Sequence, residues 1–144
     1  MSERFKMIGG VLNIILKDNK VLMMLRQNKF DTNLYSLPGG CLEHGETVID
    51  GAVREIKEET DLNVKPEDLK VVSAMHRITP WDWHSTEFVL VCSRFSGTEQ
   101  IMEPDKCSDL NWFELNKLPP NISPYAKQAI NNYINNEGFT EINF

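Results

Sequence analysis

Residues 39–62, GGCLEHGETVIDGAVREIKEETDL, leave this chain few ways to fold. Two adjacent glycines turn the chain, a loop carrying Glu43, His44 and Glu46 follows, and a helix begins. Thr47 is suited to cap that helix, with Asp50 as the reciprocal partner of a capping box. At ~100° per residue, Glu55, Glu58 and Glu59 share roughly one third of the circumference. Ile49, Ala52, Val53 and Ile56 form the adjoining apolar stripe. Gly51 sits one turn before Glu55, on the acidic face, where it leaves room. Glycine costs about 1 kcal/mol in a helix interior, so that space has a use.

Three carboxylates this close repel one another. Water absorbs such repulsion on an ordinary helix surface, with Arg54 and Lys57 as local partners, and composition alone favours that reading. A divalent cation would instead turn the repulsion into affinity, because carboxylate oxygens suit Mg²⁺, Mn²⁺ or Ca²⁺.

Around this segment the sequence reads as strands. Residues 5–16, FKMIGGVLNIIL, form an apolar, β-branched strand with an internal glycine pair. Asp18-Asn19 reads as a turn, and residues 20–26 as the returning strand of a hairpin. Residues 34–37 make a short strand ended by Pro38. Residues 69–78 and 86–95 are further strands, 96–108 a polar loop, and 110–115 a last short strand before Pro119-Pro120. Residues 123–135 read as a helix, with Ser123 as cap and Pro124 at its first position. The Asn-rich tail either stays loose or docks through Phe139, Ile142 and Phe144. This order implies one α/β domain, residues 1–144, with a mixed sheet and helices on both faces.

Charge and cysteine usage bound the partners. A formal net charge of −6 argues against a nucleic acid polymer, which needs a basic surface. An acidic protein acting on polyphosphate needs local cations or metal at its site. No apolar run approaches the ~20 residues of a membrane span, so no membrane partner is expected, and the N-terminus shows no secretory signal pattern. Cys41, Cys92 and Cys107 are odd in number and widely spaced, which reads as reduced thiols in a cytoplasmic protein. A homodimer is compatible with all of this.

Residues 40–62 resemble the Nudix box. Gly40, Glu46, Arg54, Glu55, Ile56, Glu58, Glu59 and Leu62 fall in register with its pattern. The one departure is Asp61 in place of glycine, at a helix C-cap position of left-handed geometry that Asp tolerates at modest cost. Weaker likenesses to bacterial small-molecule Nudix proteins extend to Met75-His76-Arg77 and to residues 103–119. The resemblance implies an α/β/α sandwich with a mixed sheet, and hydrolysis of a nucleoside diphosphate linked to another moiety, by water attack at phosphorus. It implies a small nucleotide substrate, Mg²⁺ or Mn²⁺ as cofactor, and Glu55, Glu58 and Glu59 as ligands, with the Gly39 carbonyl beside them. Arg54 and Glu46 would pair to fix the helix against its loop, and Glu55 would be ligand, general base or both.

A further carboxylate from a later loop often completes such a site, and Glu103, ahead of Glu99, is the candidate; the alternative is a solvated loop residue. Arg26, at the end of the second strand, could reach a phosphate or form a surface ion pair. His76 and Arg77 end a strand next to the expected cleft, although a lone His is more often simply hydrogen-bonded. Trp81 and Trp83 are stacking platforms for a base or loop anchors.

The favoured substrate is a (deoxy)nucleoside triphosphate, giving the monophosphate and pyrophosphate. The alternative is ADP-ribose or another nucleotide sugar, although Pro80 lies somewhat beyond where that subgroup's downstream proline falls. A reading of another class is a regulatory nucleotide-binding domain that has lost catalysis. Retention of three mutually repelling carboxylates argues against it.

Overall fold

Strand β1 (Ile8–Lys17) is the hub of the molecule, and its middle is buried on both faces. The computed structural model describes residues 4–27, 32–79 and 82–143. From β1 the chain turns back into β2 (Lys20–Arg26) through Asp18 and Asn19. Their φ values of 52° and 63° are the left-handed pair that a two-residue hairpin turn demands. Then come β3 (Leu34–Ser36), β4 (Gly39–Cys41), α1 (Val48–Thr60), a 3₁₀ turn at Pro66–Asp68, β5 (Lys70–Ile78), β6 (His84–Cys92), β7 (Cys107–Glu114), α2 (Pro124–Ile134) and β8 (Phe139–Asn143).

The strands form one mixed sheet in the order β3-β2-β1-β6-β5-β8, with β7 on β2 and β4 on β1. β1 runs parallel to β6 from Ile8↔Ser85 to Ile15↔Cys92. It pairs with β2 only at Leu16↔Val21 and Lys17↔Lys20, so the two strands diverge towards Arg26. Into that fork comes β4, antiparallel to β1 from Gly10↔Cys41 to Leu12↔Gly39. The fork is what places the glycine pair beside the end of β2.

Each face of the sheet carries one helix and one core. On one side, Ala52 and Ile56 of α1 pack with Val11, Ile15, Leu22 and Leu90, flanked by Val48, Ile49 and Val53. On the other, Ala126, Ala129 and Ile130 of α2 pack with Leu12, Ile14, Met23, Met75 and Val89. The alternation of Val11 and Leu12 between the two cores is the period-2 pattern of a strand buried on both faces. The fold is therefore an α/β/α sandwich.

Both N-caps form as the sequence predicts, although among the described residues the Asp50 side chain makes no return bond to complete a capping box. Thr47 Oγ1 accepts from the Asp50 amide at 3.2 Å, and Ser123 Oγ from the Ala126 amide at 3.3 Å, with Pro124 leading the second helix.

The differences lie where distant residues decide. Gly39 and Gly40 are strand residues, not a turn: a Cβ on Gly39 would overlap the Val11 carbonyl oxygen, so glycine is what lets β4 reach β1. The tail docks by backbone pairing, as β8 running parallel to β5 from Ala74↔Phe139 to Ile78↔Asn143, with Ile142 against the core and Phe139 exposed instead of buried. β6 starts at His84 and ends at Cys92, a frame earlier than the expected 86–95. The space at Gly51 is taken by Leu42 Cδ2 and Glu46 Oε1, so it serves the loop that precedes the helix and not the acidic face. Trp81 and Phe144 lie outside the described residues, whereas Trp83 is exposed next to β6. No helix among the described residues is long and apolar enough to cross a membrane.

Candidate active site

The loop before α1 and the helix itself are joined by one arginine. Arg54 grips Glu46 with two bonds, Nε to Oε2 at 2.6 Å and Nη2 to Oε1 at 2.9 Å. Bidentate pairing of this kind fixes orientation as well as charge. It holds the Glu46 carboxyl down to about 2, with help from the Glu43 amide bonded to Oε1. The same guanidinium reaches Glu55 Oε1 at 2.9 Å, Glu58 Oε2 at 3.2 Å and the Cys41 carbonyl at 3.1 Å. Loop, β4 and two box carboxylates thus share one cation, and the Arg54 pKa rises above its ordinary value.

Glu59, only 7% exposed, is held from two sides. Arg26 Nη1 donates to Oε2 at 2.6 Å, and the Gly39 amide to Oε1 at 2.6 Å. Burial pushes this carboxyl up, Arg26 acts against that push, and the charge of Glu103 adds to it. Arg26 is aimed here by an irregularity in the β2–β7 ladder, where Leu25 pairs with Asp109 but Arg26 pairs with Cys107. Its second amino group bonds the Leu37 carbonyl at 3.1 Å.

Glu55 lies across the bare face of Gly40, where a Cβ would come within 2.6 Å of Oε1. Burial, then repulsion from Glu59, raises it to about 7 against the pull of Arg54. Glu58 is the outer member, 53% exposed and tied only loosely to Arg54. Glu103 sits in the loop before β7, close enough for its charge to act on Glu59, with Lys106 at 3.2 Å as its ion partner. Glu99 is used otherwise, accepting from Trp112 Nε1 at 2.7 Å.

Arg77 and His76 part company, since neighbours on a strand face opposite ways. Arg77 lies over the Tyr125 ring of α2, Cζ 4.7 Å from its centroid, and lines a cleft beside β4 together with Arg26. His76 turns away from that cleft to His84, Nε2 to Nδ1 at 2.9 Å. The structure thus gathers Arg26, Gly39, Arg54, Glu55, Glu58 and Glu59, with Glu103 nearby, and leaves His76 out. Sequence reasoning misses Glu87 and Tyr125, which also line the cleft. The signal open to a sequence reading was a charged residue inside strand 86–92; its pairing with Gly10 is set by the sheet register alone.

Among the described residues no three His, Cys, Asp or Glu side chains converge on a single point. The donor set nevertheless fits a hard divalent cation: carboxylate oxygens that repel one another, one of them seated where Gly40 lacks a Cβ.

Residues 7–133 match the family model of the NUDIX domain, and the chain belongs to the Nudix hydrolase family. It is 38% identical over 110 residues to an ADP-ribose pyrophosphatase of Methanocaldococcus jannaschii, a match spanning 76% of this chain and 63% of that protein. It is 30% identical over 113 residues to the NAD-capped RNA hydrolase NudC of Pseudomonas putida, spanning 78% of this chain and 39% of the relative. The chain thus spans less than two thirds of the length of either relative. A MutT NUDIX hydrolase from Burkholderia pseudomallei superposes with a TM-score of 0.82 at 25% identity, over 88% of this chain and 97% of that one.

Proposed function

We propose that this chain hydrolyses the diphosphate of a nucleoside diphosphate joined to a second moiety, using Mg²⁺ or Mn²⁺, and that its substrate is a nucleotide sugar of the ADP-ribose kind. The observation that carries the reaction class is the face of α1 where Glu55, pressed by burial and by Glu59, shares Arg54 with Glu58. The sugar-linked substrate replaces the triphosphate favoured by sequence because of the relatives' names. One is named for ADP-ribose, the other for an NAD cap, itself a diphosphate between two nucleosides.

Glu55, Glu58 and Glu59, with the Gly39 carbonyl and Glu103, would hold the cation. When bound, it supplies positive charge to the diphosphate and to the phosphorus under attack by water. The chain's own share is positioning. Arg54, braced on Glu46, holds Glu55 and Glu58 at the open side of the helix. Arg26 and the Gly39 amide fix both oxygens of Glu59. Arg77, braced on Tyr125, presents a guanidinium to phosphate or sugar in the cleft. Hydrolysis of ADP-ribose consumes water and gives AMP and ribose 5-phosphate. The free thiols of Cys41, Cys92 and Cys107 support a reducing, cytoplasmic setting.

A screen of ADP-ribose, NAD⁺, nucleotide sugars and nucleoside triphosphates with Mg²⁺ or Mn²⁺ tests the reading. The expected result is the highest kcat/KM on ADP-ribose, abolished by chelation. A clear preference for triphosphates would overturn the substrate, and full turnover after exhaustive chelation would overturn the mechanism.

A further inference from the structure

On the α2 side of β4 lies a cleft of about 120 Å³, lined by Gly10, Arg26, Gly39, Arg77, Glu87 and Tyr125 among others. Sites that take a whole small-molecule ligand measure roughly 300–1,000 Å³, so this one suits a single ring of a larger substrate. Tyr125, the one aromatic among its described lining residues, already has the Arg77 guanidinium over its ring at 4.7 Å, which leaves a flat base poorly served. What the cleft offers is an acceptor.

That acceptor is Glu87 on β6, a carboxylate the box does not use. It pairs in register with Gly10, and a Cβ on Gly10 would overlap Glu87 Oε2 and lie 3.1 Å from Cδ. The bare glycine is what lets the carboxylate lie against β1, at the wall of the cleft. Ser85 Oγ donates to Oε1 at 3.3 Å and steers the group from behind. Burial pushes its carboxyl up while the charge of Arg77 works against that push. A carboxylate has two oxygens and room for several donors, the match for two adjacent hydroxyl groups.

We propose that Glu87 reads the vicinal hydroxyls of the sugar joined to the diphosphate, an inference that rests on the nucleotide-sugar substrate proposed above. The sugar enters the cleft with its diphosphate towards Arg26 and α1, and Glu87 accepts from its hydroxyls. A sugar lacking one of them leaves a desolvated carboxylate oxygen without its donor, which is the strong form of discrimination.

The test is binding, without turnover. Ribose 5-phosphate and 2-deoxyribose 5-phosphate are titrated into the protein and followed by NMR shift changes. Wild type should favour ribose 5-phosphate at least about tenfold, the worth of one hydrogen bond to a charged group. Glu87→Gln, which keeps the size, should bring the two affinities close together. Gly10→Ala should do the same by displacing the carboxylate, and it carries the test if Glu87→Gln does not fold. Equal affinities in wild type, or an unchanged ratio in a folded variant, overturn the role of Glu87. Turnover of ADP-ribose reports separately: discrimination without turnover sinks the substrate reading alone, and turnover without discrimination sinks Glu87 alone.

Discussion

Arg26 Nη1 lies 2.6 Å from Glu59 Oε2, tying the end of β2 to the last turn of α1 across the fork in the sheet. Both side chains are largely out of water, so neither can lose the other cheaply. Breaking such a buried pair from one side typically costs about 3–5 kcal/mol, because a desolvated charge is left behind.

Arg26→Ala should therefore unfold in urea at a markedly lower midpoint than wild type, by an amount of that order. Arg26→Lys should fall between, keeping a charge near Glu59 but losing the fork that also bonds the Leu37 carbonyl. The double variant Arg26→Met, Glu59→Leu should recover much of the loss, because no buried charge remains. Equal stability of Arg26→Ala and wild type would mean that water, not Arg26, satisfies Glu59.

The two glycines of β4 should separate fold from chemistry. Gly39→Ala meets backbone, the Val11 carbonyl, which has no flexible end to move aside. It should cost several kcal/mol, roughly the upper range for a single overpacking change, and show as a large fall in Tm. Gly40→Ala meets first the Glu55 carboxylate, with the new Cβ 2.6 to 2.9 Å from its three atoms. That variant should fold and lose at least about tenfold in kcat, as a displaced active-site group does. A Gly40→Ala protein with undiminished kcat would remove Glu55 from the site.

Tyr35, on β3, gives a pH signature outside the box residues. Burial, then its hydroxyl bond to Asp109, raises the phenol up to about 12. The folded value lies above the unfolded one near 10, so the stability this group contributes is fully present below about pH 10. It is lost as pH rises from there through the folded value. Spectrophotometric titration should show one of the three tyrosines ionising late, and Tyr35→Phe should delete that step. A single wave near pH 10 for all three would contradict the Asp109 bond.

What the sequence made legible was local. α1 announced itself through Thr47 at one end, Asp61 at the other and a stripe of Ala52 and Ile56 between them, all within a few turns. The β1–β2 hairpin was readable from Asp18-Asn19, because few residues accept two left-handed positions in succession. Gly39-Gly40 misled, because locally a glycine pair reads as a turn, while its need for glycine is set by Val11 and Glu55 arriving from elsewhere. The β8 strand is short and Asn-flanked, and it exists only because β5 offers an open edge. Arg26 was visible as a strand-end cation, but its partner Glu59 is 33 residues away and invisible to any window. Glu87 hid for the same reason, since only the sheet register sets it against Gly10.

Asp61 carries the last prediction. It caps α1 in left-handed geometry, φ 64° and ψ 10°, with its amide bonded to the Lys57 carbonyl at 3.0 Å. On sequence grounds glycine should do better there, free of the Cβ and of a negative charge at a negative helix end. The structure reverses the balance. Lys57 Nζ lies 2.9 Å from Oδ1, and Gln100 Nε2 donates to Oδ2 at 2.8 Å. These partners hold the carboxyl below its usual range, so the charge is welcomed here, not opposed. Gln100 also bonds the Thr60 carbonyl through its amide at 3.0 Å, so Asp61 helps dock the loop that carries Glu103 onto the helix end. Asp61→Gly should accordingly melt no higher than wild type, and Asp61→Asn, which tolerates the same backbone, should also lose the Lys57 pair. In both variants the Gln100 amide should exchange with solvent faster, because its loop has lost a tether. A higher Tm for Asp61→Gly with unchanged exchange at Gln100 would show that backbone strain, not these contacts, governs the position.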